Sequence, residues 1–264
     1  MTESAASGCQ LFGVVHLPPL PGSPRYSGSG VDAIVDHAKR DADAILGAGF
    51  DGYVIENFGD APFSRGAVPP HVLTIMTRVA LELPRGDALV VINVLRNDAR
   101  GGLSVAAAAN CHAIRVNVHC GAFVADQGLI QGEAFDTTRL RTQLAPGVKI
   151  FADVDVKHAN PLGSEYSIED HAEETAYRGL ADALIVTGRA TGATAALDDL
   201  RSVRSAVPDR PVFVGSGIQI DNAGFWSEEA SGIIVGTALN PNGDIASPID
   251  SDLAKLFVAE CGQG

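Results

Sequence analysis

Residues 211–239 read PVFVGSGIQIDNAGFWSEEASGIIVGTAL. Two short apolar runs, PVFV and GIIV, each lead into glycine and a hydroxyl-bearing residue, and a segment of helical character separates them. Strands that are apolar on both faces are typical of parallel sheets covered on both sides. The stretch therefore predicts a strand–helix–strand unit whose two strands end in GSG and GT.

The same alternation runs through the rest of the chain. Apolar runs predict strands, and amphipathic segments predict the helices between them. The predicted strands are 11–17, 52–57, 89–95, 113–118, 149–156, 183–188, 211–217 and 232–239, and the predicted helices are 31–49, 71–83, 101–110, 136–145, 167–181, 198–207, 222–230 and 250–260. Eight strand–helix repeats are typical of a (β/α)8 barrel, so we predict an α/β fold formed by a single TIM barrel. A doubly wound open sheet shows the same alternation, but no GxGxxG follows the first strand.

Length and composition fit one domain. The 264 residues are 46% hydrophobic, which is enough for one core, and no Pro-, Gly- or Ser-rich linker divides the chain. We assign residues 1–10 to a flexible N-terminus and residues 11–264 to the barrel. The sequence contains no uninterrupted apolar run of ~18 residues, so it predicts no membrane span. The first ten residues, MTESAASGCQ, do not resemble a signal peptide, so we expect a cytoplasmic protein.

The charge of the chain argues against a nucleic-acid-binding surface, and its cysteine content argues against a CxxC-type metal or redox site. The formal net charge is −13, from 19 basic and 32 acidic residues, whereas nucleic-acid surfaces need clustered Lys and Arg. The four cysteines contain no CxxC pair, so we expect free thiols in a reducing compartment.

In a TIM barrel, function lies at the C-terminal ends of the strands. The second predicted strand ends in Glu56 and Asn57, the third carries Asn93, and the fifth continues as ADVDVKHANPLG over residues 152–163. Alternate strand residues share a face, so Asp153, Asp155 and Lys157 are expected to point the same way. Carboxylates inside an apolar strand are costly unless they are paired, ligated or functional.

We therefore take these polar strand ends as candidates for catalysis. Glu56 and Asp153 are candidate general acid/base groups, and Asp155, Lys157 and Asn93 are candidates to orient substrate or stabilise charge. The alternatives are a structural Asp–Lys ion pair, a Schiff base on Lys157 and a divalent-metal site. No HxH or HExxH spacing supports a metal, so the cofactor is left unassigned.

The last three predicted strands end in small residues, TGRATGA (187–193), GSGI (215–218) and GTALN (236–240). Small residues let backbone N–H groups approach an anion, and barrels often bind phosphate between the loops after strands 7 and 8. The alternative is that these glycines only form tight turns. His16, near the end of the first predicted strand, is added to these small residues. The candidate substrate- or phosphate-binding residues are His16, Thr187, Gly188, Gly215, Ser216, Gly217, Gly236 and Thr237.

Several stretches also carry a resemblance to a known family. They are GVVHLPPLPGSP (13–24), ENFGDAPF (56–63), NVLRNDA (93–99), RVNV (115–118), DQGLIQGEA (126–134), ADVDVKHANPL (152–162), ALIVTGRATG (183–192) and VFVGSGI (212–218). Over roughly residues 11–260 the chain resembles the BtpA family of (β/α)8-barrel proteins. The resemblance implies the barrel fold. It also implies either the photosystem I biogenesis role of the family name or, from relatives in sugar operons, binding of phosphorylated sugars or nucleotides.

Three functions follow from these observations. The first is an enzyme acting on a small phosphorylated metabolite, either an isomerase or lyase or a nucleosidase-type hydrolase. The second is a non-catalytic assembly factor, for which we expect an exposed apolar patch and a mouth filled by the protein's own side chains. The third is a diphosphate-dependent transferase with Mg²⁺, although the sequence contains no DDxxD run. A homo-oligomer is also expected, because two-fold dimers are common.

Overall fold

Eight parallel strands close into a barrel in the computed structural model, which describes residues 8–156, 159–163, 167–187 and 197–262. The barrel strands are β1 (Gln10–His16), β2 (Gly52–Glu56), β3 (Leu89–Asn93), β4 (Ala113–Val116), β7 (Lys149–Val154), β9 (Ala183–Thr187), β10 (Val212–Gly215) and β11 (Gly232–Val235). Around the barrel their order is β1-β11-β10-β9-β7-β4-β3-β2. The strands β5 (Ala122–Ala125), β6 (Gly128–Gln131) and β8 (Ala159–Pro161) form a separate small sheet.

Helices follow the strands in the order that the sequence predicts. They are α1 (Val31–Ala48), α2 (Pro70–Glu82), α3 (Ala99–Ala108), α4 (Ala134–Leu144), α5 (Ile168–Glu173), α6 (Leu197–Ala206), α7 (Ala223–Glu229) and α8 (Ser251–Glu260). The prediction of a single TIM barrel is confirmed. The division into residues 1–10 and 11–264 stays a prediction, because residues 1–7 lie outside the described ranges.

The predicted strands overrun at their C-terminal ends. Strand β7 ends at Val154 and β11 at Val235, where the sequence predicts strand through residues 156 and 239. A 3-10 turn, Thr237–Leu239, follows β11. Apolar residues continue past the last ladder hydrogen bond because the loops also pack against the core, so hydrophobicity alone does not mark the end of a strand.

Two apolar layers hold the barrel. Residues that face the barrel axis pack around three aromatic rings, Phe12, Phe151 and Phe213, whose centroids lie 5.2–6.3 Å apart. The alternate residues face outward and form a larger core with the helices, in which Met76, Leu200 and Phe257 are fully buried. Period-two alternation therefore assigns every strand residue to one of the two layers.

The small sheet is absent from the sequence prediction, which places a long connection after β4. Strands β5 and β6 form an antiparallel hairpin, and β8 adds to β5 from the segment that follows β7. Phe123 and Ile130 are buried with Val118 and Val156 in a core of their own. The hairpin turn carries Asp126 and Gln127, and its place above the barrel determines part of the site described below.

Three loops at the C-terminal end of the barrel are joined by one asparagine and one aspartate. Asn57 accepts a hydrogen bond from the Leu95 amide (2.8 Å) and donates one to Asp60 (3.2 Å). Asp60 in turn accepts from the amide of Leu20 (2.8 Å). Burial raises the pKa of Asp60 above its ordinary value. The motif ENFGD thus positions the loops that surround the barrel mouth.

None of the four cysteines is in a disulfide bond. Burial raises the pKa of Cys9 to about 12 and those of Cys111 and Cys261 to about 11. Within the described ranges, no helix has the length and apolar character that crossing a membrane requires.

Removing an aromatic ring from the barrel interior is expected to cost much stability. Phe213 is 2% exposed, so Phe213→Ala should lower the free energy of unfolding by about 3–5 kcal/mol, measured by urea denaturation. Phe135→Ala is the matched control, because Phe135 is 66% exposed and its loss should change the free energy of unfolding by less than about 1 kcal/mol. Equal losses in the two variants would contradict this description of the core.

Candidate active site

A cavity of about 400 Å³ opens at the C-terminal ends of the barrel strands. Its floor comes from the barrel, and its rim comes from the loops and from the β5–β6 turn. The residues that line it are Val14, His16, Glu56, Phe58, Phe63, Asn93, Leu95, Arg96, Arg115, Asn117, Asp126, Gln127, Ser216, Ile234, Gly236 and Thr237. Sites for small ligands span about 300–1,000 Å³, so this cavity suits a small metabolite.

Strand register brings three predicted residues together on the floor. His16 is the register partner of Glu56, and Glu56 is the register partner of Asn93. On β1, β2 and β3 the residues two positions earlier, Val14 among them, face the barrel axis, so these three side chains face inward as well. His16 Nε2 lies 3.9 Å from Glu56 Oε2, and the His16 ring packs edge-on against Phe58 with centroids 4.9 Å apart.

A buried ion pair joins Arg115, which lines the cavity, to Asp153, which lies below its floor. Arg115 donates from Nε to Asp153 Oδ1 (2.9 Å) and from Nη2 to Asp153 Oδ2 (3.1 Å), while its Nη1 donates to Glu56 Oε1 (3.2 Å). The Asp153 side chain is fully buried. Burial alone would lower the pKa of Arg115, but the charges of Asp153 and Glu56 outweigh it and raise that pKa above its ordinary value. Arg115 is therefore a permanent cation that holds the Glu56 carboxylate in place.

The same aspartate orients two amides. Asn117 donates from Nδ2 to Asp153 Oδ2 (2.8 Å), and its Oδ1 accepts from Asn93 Nδ2 (3.2 Å). Asn93 Nδ2 also donates to the Arg115 backbone carbonyl (3.1 Å). Carboxylate and carbonyl oxygens only accept hydrogen bonds, so these contacts assign the nitrogen and oxygen of both amides.

The structure separates the predicted acid/base candidates. Glu56 lines the cavity, whereas Asp153 does not and has both oxygens engaged by Arg115 and Asn117. Asp155 follows the end of β7 with φ +60°, so the alternation that would align it with Asp153 stops before it. Its carbonyl accepts a hydrogen bond from Thr187 (3.0 Å). The candidates Lys157 and Gly188 lie outside the described residues.

The predicted phosphate residues divide in a similar way. A cavity of about 30 Å³ between β10 and β11 adjoins the larger one and is lined by residues 216–219 and 234–237. Ser216 and Gly217 have φ of +92° and +74°, so the chain turns sharply around it. A Cβ on Gly236 would lie 2.6 Å from the His16 ring, which explains the glycine. Gly215 and Thr187 line neither cavity; a Cβ on Gly215 would meet Ile185 inside the barrel at 3.2 Å.

The structure also brings to the site several residues that lie at or after the strand ends but were not selected as candidates from the sequence. Arg115 and Asn117 stand at alternate positions of AIRVNV (113–118), and strand parity could have marked both as inward-facing. Arg96 lines the cavity although it is only 7% exposed. Burial lowers the pKa of Arg96, and the nearby charge of Asp153 opposes that shift. Asp126 and Gln127 reach the cavity only through the unpredicted hairpin.

A metal site is a separate question. Within residues 8–156, 159–163, 167–187 and 197–262, no group of three or more His, Cys, Asp or Glu side chains is arranged to hold a metal ion.

Comparison with known proteins gives the chain its relatives. The model of the BtpA family matches residues 8–263. The photosystem I biogenesis protein BtpA of Synechocystis is 42% identical over 96% of this chain and 88% of its own length. An uncharacterised protein of Pyrococcus furiosus is 42% identical over 94% of this chain and 93% of its own length.

Among solved structures, the N-(5'-phosphoribosyl)anthranilate isomerase of P. furiosus superposes with a TM-score of 0.58. It covers 97% of this chain and 100% of the isomerase at 11% identity, and this likeness concerns the fold.

The buried pair should matter for stability. Asp153→Asn leaves the Arg115 guanidinium buried with less than its full charge compensation, so the free energy of unfolding should fall by about 3–5 kcal/mol. The control is Asp32→Asn, because Asp32 pairs with Arg78 at 2.6 Å but its side chain is 85% exposed. Urea denaturation should show little change for this variant. A small effect of Asp153→Asn would contradict the role given to the pair.

Proposed function

The chain belongs to the BtpA family, and from the site at its barrel mouth we propose that it is an enzyme that acts on a small phosphorylated metabolite by acid–base chemistry. The proposal rests on one observation: a carboxylate, Glu56, lines the floor of a cavity that adjoins a small-residue pocket between β10 and β11. The first offers a group that can move a proton, and the second offers a place for an anion.

The pocket between β10 and β11 is the proposed phosphate site. Ser216, Gly217, Gly236 and Thr237 line it, and none of these side chains carries a charge or the bulk to keep an anion from the backbone. Barrels of this fold frequently bind phosphate in the loops after their seventh and eighth strands, which are β10 and β11 here. The name of the P. furiosus neighbour, a phosphoribosylanthranilate isomerase, describes action on a phosphorylated sugar derivative and agrees with this assignment.

Glu56 is the proposed general acid/base. Arg115 holds its Oε1 atom from below, and His16 lies beside its Oε2 atom. In the proposed step Glu56 takes a proton from a carbon next to a substrate carbonyl, and the electron pair moves onto the carbonyl oxygen. Where the deprotonated carbon carries a hydroxyl, Glu56 then returns the proton to the former carbonyl carbon, and the hydroxyl proton moves to the former carbonyl oxygen, so that the carbonyl and the hydroxyl exchange places. The Arg96 guanidinium, which lines the same cavity, stabilises the negative charge that develops on that oxygen.

Proton transfer suits this site better than glycosidic hydrolysis. Hydrolysis needs two carboxyl groups that flank the scissile bond. Asp153 is buried below the floor and hydrogen-bonded to Arg115 and Asn117, so it acts through them as a positioning residue. Asp126, the other lining carboxylate among the described residues, belongs to the hairpin turn. An isomerase or a lyase is therefore the favoured class.

The open mouth also bears on the assembly-factor alternative, which predicts a mouth filled by the protein's own side chains. A cavity of about 400 Å³ lined by Glu56, Arg96 and Arg115 supports the enzyme instead. The name of the Synechocystis relative concerns photosystem I biogenesis and describes a process without naming a reaction.

The phosphate site can be tested by adding a negative charge. Thr237→Asp places a carboxylate in the small pocket, so it should weaken binding of inorganic phosphate at least tenfold by isothermal titration calorimetry. Thr142→Asp introduces the same charge on the exposed surface of α4 and should bind phosphate like the unaltered protein. If Thr237→Asp binds phosphate as well as Thr142→Asp, the pocket is not the phosphate site.

The acid/base role can be tested on substrates found by screening phosphorylated metabolites for turnover. Glu56→Gln keeps the size of the side chain but removes its ability to accept the proton, so kcat should fall by about 10²–10⁴-fold. Glu82→Gln, on α2 at the surface, serves as the control and should keep full activity. Full activity of Glu56→Gln would overturn the assignment.

A further inference from the structure

The Asn93 amide carries an acceptor that the protein does not use. Its Nδ2 atom donates to the Arg115 carbonyl and to Asn117 Oδ1. Its Oδ1 atom is buried and accepts no hydrogen bond from any described residue. A buried polar atom without a partner costs free energy, and in native proteins such atoms are few and often functional. Asn93 lines the cavity, so a ligand can supply the missing donor.

The amide presents this acceptor beside Glu56. Both partners of Nδ2 belong to the β4 side of Asn93, and in a planar amide the oxygen points away from the nitrogen. Oδ1 therefore faces the β2 side, where Glu56 is the register partner of Asn93. Neighbouring strands lie about 4.8 Å apart, so we expect the Asn93 amide oxygen and the Glu56 carboxylate to lie side by side at the floor of the cavity.

Two adjacent acceptors select a particular substrate group. A substrate carboxylate or phosphate would be repelled there, and a bare carbonyl offers no donor. Two hydroxyl groups on neighbouring carbons offer one donor to each acceptor. We infer that the substrate carries a vicinal diol whose two hydroxyls donate to Glu56 and Asn93 Oδ1, an inference that rests on the proposed function.

The diol site and the phosphate pocket lie on one arc of the barrel mouth. Gly236 approaches the His16 ring, His16 lies 3.9 Å from Glu56, and Glu56 neighbours Asn93. A substrate that spans this arc has a phosphate at one end and a pair of hydroxyls at the other. Phosphorylated polyhydroxy compounds of the pentose and hexose class have this layout, and the cavity of about 400 Å³ has room for one.

Matched sugar phosphates that differ in one hydroxyl test the inference. The pairs are ribose 5-phosphate and arabinose 5-phosphate, each compared with 2-deoxyribose 5-phosphate, whose furanose form has no two hydroxyls on neighbouring carbons. All are titrated calorimetrically with inorganic phosphate as reference. For at least one pair the unaltered protein should bind the full sugar about tenfold more tightly, because the deoxy compound leaves an acceptor unpaired. In Asn93→Leu this preference should fall to within about twofold, whereas Asn160→Leu on the exposed β8 should keep it.

The outcomes separate this inference from the proposed function. If both members of every pair bind equally and more tightly than phosphate, the diol inference fails while the phosphate site stands. If neither the sugars nor phosphate bind, the proposed function fails and the inference fails with it. Should Asn93→Leu not fold, the comparison of the two sugars on the unaltered protein still decides.

Discussion

The contact between Asp153 and Arg115 determines the arrangement of the whole site. One fully buried carboxylate binds a guanidinium through two hydrogen bonds and an amide through a third. From these contacts follow the position of Glu56, the orientation of Asn117 and, through it, that of Asn93. Such a pair gains little net stability over apolar residues of the same size. Its value here is geometric, because the single Asp153 carboxylate on β7 fixes four side chains, Arg115 and Asn117 directly and Glu56 and Asn93 through them.

The barrel supplies the frame for this network. Inward-facing positions change from aromatic and aliphatic side chains in the lower layers, such as Phe12 and Ile185, to polar ones at the C-terminal ends. Hydrogen bonds among Glu56, Arg115, Asn117 and Asn93 fix the side chains of that layer, while the Oδ1 atom of Asn93 has no partner among the described residues. The loops above them are joined to one another by the hydrogen bonds of Asn57 and Asp60.

Much of the fold could be predicted from the sequence, because period-two and helical patterns are local. Strand existence and order follow from runs such as LVVINV, and polar ends such as Glu56 and Asn93 follow from the barrel rule. The partners of these ends could not be predicted, since Asp153 meets Arg115 across 38 positions of the chain. Alternation predicts that the side chains of Asp153 and Asp155 point the same way, but the left-handed backbone at Asp155 interrupts the alternation. The hairpin escaped notice because four-residue strands of mixed polarity carry too little pattern.

The hairpin has a consequence for how this protein can change over time. Its turn contributes Asp126 and Gln127 to the cavity, yet its stability comes from its own cluster around Phe123 and Ile130. The barrel strands therefore do not constrain which residues occupy the turn. Substitutions at those two positions would change the rim of the cavity and leave floor residues such as Glu56 in place. The floor of the cavity and this part of its rim can therefore vary independently, because they lie on different segments of the chain.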